Sequence, residues 1–475
     1  MRRVSIAMMS GVILFIAGCA AQPTSQPPSA AGRATLFEGA RLITGDEVPP
    51  IEDSAFVVED GKFTSVGRRG QVQAPEGVAR VDLTGKTVMP GIIEAHAHLG
   101  YWKDLAPSVE HFTREQLLQD LQRLAYHGIV AVNSMGADRR DIAWPLRDEL
   151  RAHPRPDAAM YLAAGGFAAP KGGPFRPLDE AVRAVTNEED VRNEIQELVA
   201  KNADFVKVWQ DSRRQLMPRP VIEFLIAEAH RNNLRVVAHT HALSDFKHLL
   251  RSGIDAFAHP TWRQTEVEPV DDELIALFKA HPNVPVMAGF WTPRNEIYGA
   301  RPYWIDDPLL AETFSQAEIK ALENPKTPGN ASQAWASGRV PRSMQRLKAV
   351  GVRFVLGTDM GAGFSLEHDP TPAYYGWSSH VEMESMVKAG LTPSEVITAA
   401  TRNSAQILGL DQLGLVATGK QADFVVLDAN PLDNIANTRR ISRVYLRGRE
   451  VDRAALRTQL NGRFDPHRGE KSVSP

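Results

Sequence analysis

Between residues 88 and 359 the chain repeats one pattern, in which a short apolar segment is followed by an amphipathic or polar stretch. Eight such segments fall at 88–95, 129–133, 158–163, 204–209, 235–239, 256–259, 284–290 and 353–359. Each is too short to be a helix of ordinary length and is rich in Val, Ile, Ala and Phe, as buried strands are. Between them, residues 115–125, 191–200, 221–230 and 246–250 carry apolar residues at helical spacing. A last helix opens at Thr392-Pro393-Ser394-Glu395, with a capping hydroxyl, Pro at the first helical position and Glu at the third. Strands that alternate with helices form parallel sheets. Eight of them predict an α/β fold in which a closed (β/α)8 TIM-type barrel occupies residues 90–410.

The flanks of this region read differently. Residues 34–37, 54–58 and 62–66 are strand-like, and Glu59-Asp60-Gly61 is a hairpin turn signal. Residues 422–427 and 441–446 are again strands, with a turn at Arg447-Gly448-Arg449-Glu450. Segments 34–89 and 411–460 therefore predict one small β-sandwich domain built from both ends of the chain, with 461–475 as a tail.

The first residues read as a targeting segment. Arg2 and Arg3 precede an apolar run from Val4 to Ala17 that is short for a membrane span. It ends in Ile16-Ala17-Gly18-Cys19, which resembles a bacterial lipobox. Residues 1–18 are then a lipoprotein signal peptide, Cys19 the lipidation site, and 19–33 a flexible tether rich in Pro, Ser and Ala. A plain secretory signal is the alternative. Ala20 after the cysteine resembles an outer-membrane sorting pattern, so the expected place is the periplasmic face of the outer membrane, held only by the lipid anchor.

Cys19 is the single cysteine among 475 residues. No intramolecular disulfide can form, and a metal site would have to use His, carboxylates or Lys-derived groups. The net charge of −3 provides no basic field for nucleic acid.

Polar residues fall at the ends of the predicted strands, where a barrel has its catalytic mouth. His96 and His98 close the first strand and, at i and i+2, point to one side. Lys207 sits inside an apolar fourth strand. A lysine there either snorkels at the rim or is carboxylated by CO₂, giving an anionic oxygen ligand. His239 ends the fifth strand, His259 the sixth and Asp359 the eighth. Any one of them could be a satisfied core group, but all six at one end of a barrel point to a metal centre. His239 and His241 share a face, so either could be the fifth-strand ligand.

With these positions in view, the mature sequence resembles the amidohydrolase superfamily. Pro90-Gly91 followed by His96-Ala97-His98 is similar to its first-strand signature, and Lys207, His239, His259 and Asp359 match its remaining ligand positions. Ala400 to Ala405 and Gly419 to Leu427 are similar to its passage from the last helix into the β-domain. The nearest likeness is to prolidase-like members with a lysine on strand four. The resemblance implies two divalent ions, zinc being the expected metal, bridged by carboxylated Lys207. His96, His98 and Asp359 would hold the more buried ion, and His239 and His259 the more exposed one. It also implies cleavage of a C–N bond (amide, peptide-like or cyclic amide) by metal-activated hydroxide, with Asp359 as general acid and base. Activity would fall as the His ligands protonate, in roughly the pH 5–6 range.

For the small-molecule substrate the expected contacts are His241, Lys171, Trp209, Arg213 and Trp291, with Arg214 and Tyr298 as further loop candidates. The loop 165–173 is expected to close over substrate, and the insert 294–333 to serve as a lid. Three other readings stand beside the first: a mononuclear deaminase or deacetylase, a lactone or ester hydrolase on the same barrel, and a non-catalytic surface-binding lipoprotein. A homo-oligomer is compatible with all of them.

Overall fold

The computed structural model describes residues 34–103, 106–174, 177–212, 214–260, 270–290, 303–321, 338–362 and 374–461. Cys19 with the whole of 1–33 lies outside the described residues. So do Arg213, Trp291, Tyr298, the parts 294–302 and 322–333 of the insert, and the tail from 462.

The eight predicted strands are present as β1 (Ile92–Ala97), β2 (Ile129–Ser134), β3 (Met160–Ala168), β4 (Phe205–Trp209), β5 (Val236–His239), β6 (Ala256–Phe257), β7 (Val286–Met287) and β8 (Phe354–Val355). Each pairs in parallel with the next. The ring closes between the segment after β8 and β1. Ala95 N donates to Leu356 O at 3.0 Å, Asp359 N to His96 O at 2.8 Å and His98 N to Met360 O at 2.8 Å. Helices Arg114–Tyr126, Glu188–Ala200, Arg219–Arg231, Leu243–Arg251 and Asp272–Ala280 cover the outside. Leu117, Leu121 and Leu124 show the logic: spaced three and four apart, they are fully buried. Thr113, Asn187 and Asp271 cap three of these helices. Thr392 forms the predicted capping box with Glu395.

Two sheets pack face to face beside the barrel. One has the order Lys62–Arg68, Ser54–Glu59, Thr35–Glu38, Ala79–Asp82. The other has the order Arg41–Leu42, Thr87–Pro90, Phe424–Leu427, Ile441–Leu446, Arg449–Glu450, and so combines both ends of the chain. Phe37, Phe56 and Phe63 from the first sheet meet Phe424 and Tyr445 from the second. Phe37 stacks on Phe56 at 5.0 Å and Phe424 on Tyr445 at 4.4 Å. Asp60 and Gly61, both at positive φ, make the predicted hairpin turn.

Three expectations need correction. The apolar run 88–95 is not one strand: Thr87–Pro90 pairs antiparallel with Phe424–Leu427, and β1 begins at Ile92. Residues 165–168 of the expected closing loop belong to β3, and 165–167 of them pair with β4. Gly165 is there because helix Glu188–Ala200 approaches closely; a Cβ would lie 2.2 Å from Leu198. The described part of the expected lid, 303–321, packs at the end opposite the mouth. Its Thr313 hydroxyl is 2.9 Å from Nε2 of His127, just before β2 begins.

Candidate metal centre

β1 delivers His96 and His98 to the mouth, both buried. Their Nε2 atoms each lie 3.2 Å from Oδ1 of Asp359. His96 Nδ1 is 3.2 Å from the Ala258 carbonyl oxygen. A carbonyl only accepts, so the ring carries its proton on Nδ1 and turns the Nε2 lone pair toward Asp359. Burial holds His96 well below the usual imidazole range; the Lys207 charge acts the same way and Asp359 opposes it. A neutral, buried imidazole is the form that binds a metal.

Asp359 lies four residues beyond β8, at φ +58°. Aspartate is among the few residues that accept this left-handed backbone. Two contacts hold it: its own N–H bonds to His96 O, and the N–H of Thr358 bonds to Glu94 Oε1 at 2.9 Å. Its other oxygen, Oδ2, is 3.7 Å from Nε2 of His259.

The opposite wall comes from β4, β5 and the segment after β6. Lys207 is fully buried, with Nζ 3.4 Å from His96 Nε2 and 5.3 Å from the centre of the Trp209 ring. Gly136 makes room for it: a Cβ there would lie 2.6 Å from Lys207 Cβ. Burial pushes the Lys207 amine down to about 7, with Asp359 opposing. His259 Nε2 lies 3.0 Å from His239 Nδ1. Burial pushes His239 down to about 4, and its hydrogen bond to Asp211 opposes this. Two ring nitrogens that converge at that distance could share a cation.

All six predicted ligands therefore meet at one mouth. His96, His98 and Asp359 form one triad whose ligand atoms lie within 4.8 Å of one another, a group able to hold an ion. Asp211, His239 and His241 form a second such triad, which the sequence reading did not foresee. The donor sets fit divalent cations: imidazoles and carboxylates that converge in a mostly buried pocket.

The expected substrate contacts divide. His241 is buried, its ring 4.8 Å from that of His239 and 5.4 Å from that of His259. Trp209 is also buried, 6.4 Å ring to ring from His239. Lys171 is exposed beyond the end of β3. Arg213 and Trp291 lie outside the described residues. Sequence reading missed Glu94, although it shares strand parity with His96. It also missed Asp211, which shares parity with Lys207 and Trp209.

The model of the amidohydrolase family matches residues 87–451. Ochratoxinase of Aspergillus niger is 23% identical over 445 residues, covering 85% of this chain and 83% of its own. A 5'-deoxyadenosine deaminase of Methanosarcina acetivorans is 22% identical over 405 residues, covering 83% and 84%. Among solved structures, a putative prolidase from Bifidobacterium longum superposes with a TM-score of 0.68 at 23% identity, over 91% of this chain and 100% of that one.

Proposed function

Since the chain belongs to the amidohydrolase family and is a hydrolase of carbon–nitrogen bonds, we propose that it cleaves an amide, peptide-like or cyclic amide bond of a small molecule at a two-ion centre. His96, His98 and Asp359 would hold the inner ion, His239 and His259 the outer one, and a carboxylated Lys207 would supply oxygen ligands to both. Zinc suits this set of donors. Divalent ions supply Lewis-acid activation of water and of the scissile carbonyl.

The remaining work falls to the protein. Asp359 accepts a proton from the attacking water as the new C–O bond forms. It returns that proton to the nitrogen as the C–N bond breaks, so the leaving amine departs neutral. Trp209 offers a flat apolar wall beside Lys207 and His239, and His241 a polar contact. Lys171, Arg213 and Trp291 remain proposed contacts from the loops.

The observation that carries this reading is the position of Lys207: fully buried, on the wall between the two imidazole groups, 3.4 Å from His96. Carboxylation needs an uncharged amine, and burial favours that form. The test is metal content by elemental analysis, for wild type and Lys207→Ala, followed by a screen of dipeptides and N-acyl amino acids. About two ions per chain in wild type and fewer in the variant support the bridge. One ion in both removes Lys207 from the centre. It would leave a single-ion deaminase or deacetylase, a reading favoured by the deaminase relative and by the compact His96–His98–Asp359 triad. Esters and lactones stay open on either centre, since activation does not fix the leaving group.

A further inference from the structure

We propose that Asp211 is a positioning residue that selects the metal-binding tautomer of His239. The proposal rests on the two-ion reading above. His239 stands between two partners. Its Nδ1 faces His259 Nε2 at 3.0 Å, and its Nε2 faces Asp211 Oδ2 at 3.5 Å. A neutral imidazole carries one proton. If the proton sits on Nε2 and is donated to Asp211, the Nδ1 lone pair points into the pocket shared with His259. If it sits on Nδ1, an N–H fills that pocket and no cation can enter. A buried carboxylate behind Nε2 decides between the two forms.

The fold builds Asp211 into this place. The register sets Trp209 opposite His239, and the next residue extends the pairing, with Gln210 N donating to His239 O at 2.9 Å. Gln210 then closes the turn that follows. Its Oε1 accepts from Met217 N at 3.1 Å, and its Nε2 donates to Met217 O at 3.0 Å. Asp211, only 2% exposed, leaves β4 at the height of the His239 ring. His241 packs edge-on to His239 and flat against His259, bracing both rings.

Asp211, His239 and His241 also lie close enough to hold an ion themselves. That use is incompatible with the first, because a neutral His239 that ligates through Nε2 turns an N–H toward His259. The two arrangements predict different behaviour. In the positioning role, Asn at 211 still accepts the Nε2 proton and His241 contributes no bond to an ion. In the ligand role, removing the His241 nitrogens releases the ion.

The experiment is equilibrium dialysis of the purified protein against zinc, with elemental analysis, for wild type, Asp211→Ala, Asp211→Asn and His241→Phe. Wild type should bind two ions. Asp211→Ala should weaken the outer ion by about 10- to 100-fold, the usual effect of losing such a partner. Asp211→Asn should recover most of this, and His241→Phe should keep both ions. The inner ion should stay bound throughout, which shows that each variant is folded. Two ions of unchanged affinity in Asp211→Ala overturn the positioning role and leave the two-ion reading standing. Loss of an ion in His241→Phe overturns it in favour of a ligand role. One ion in wild type overturns both this proposal and the two-ion reading.

Discussion

Glu94 Oε1 lies 2.9 Å from the backbone nitrogen of Thr358, so a side chain on β1 holds the segment that carries Asp359. The same oxygen accepts from His96 N at 3.1 Å, and Oε2 accepts from the Ser379 hydroxyl at 2.9 Å. All of these groups are buried. Glu94→Ala should strand two N–H groups and a hydroxyl, at about 1–3 kcal/mol each. Glu94→Gln keeps Oε1 as acceptor and offers its amide to Ser379. Thermal unfolding should therefore show a large loss for Ala and a small one for Gln. Equal losses would mean that the carboxylate's hydrogen bonds do not hold this segment.

Asp359 combines contact with both first-strand histidines and a left-handed backbone. Asparagine tolerates the same φ and keeps one ligand oxygen, but it cannot take up a proton. Asp359→Asn should stay folded, with a melting temperature near that of wild type. Its kcat on any substrate found should fall by roughly 10²- to 10⁴-fold. A kcat within a factor of a few of wild type would remove Asp359 from proton transfer.

Much of the site was legible because strand parity is a hard constraint. His96 and His98 must share a face, and a lysine inside an apolar strand must either snorkel at the rim or be buried with a purpose; the structure buries it. The break at Gly91 was only half legible: the domain boundary falls at 89/90, yet apolar residues continue past Pro90-Gly91 and read as one strand through the change of sheet partner. Gly165 and Gly166 read as a loop because glycine usually marks one; the approach of Leu198 that requires Gly165 is a tertiary fact. Asp211 lies past the end of its strand, and its meeting with His239 depends on the register between β4 and β5.

Export was read from Arg2, Arg3, the apolar run and Cys19, all outside the described residues. Among the described residues no helix is long and apolar enough to cross a membrane. If the lipid at Cys19 is the anchor, Cys19→Ala should move the protein from the membrane pellet to the soluble fraction of expressing cells. Continued sedimentation of the variant would argue against the lipid anchor.

His380 gives a pH test away from the metal centre. It is fully buried in helix Trp377–Lys388, with Nε2 2.9 Å from the carbonyl of His127 and Nδ1 3.0 Å from the Thr438 hydroxyl. Burial pushes its pKa down to about 3; the bond to His127 opposes this, and Arg439 and Arg453 add to it. In the unfolded chain the group titrates near 6.5. Above that pH neither state binds the proton, and the contribution to stability is complete. Below it the unfolded chain takes up a proton that the folded protein refuses, so stability falls by up to about 1.4 kcal/mol per pH unit until the folded value is reached. Burial raises the carboxyls of Glu94 and Asp120 to about 7, and these act in the opposite direction. They are common to wild type and variant and cancel in the difference. His380→Gln keeps an amide donor for the His127 carbonyl but has no group that titrates. Urea unfolding at pH 6, 5 and 4 should therefore give a steeper decline for wild type than for the variant. Parallel lines would mean that His380 takes up its proton without unfolding.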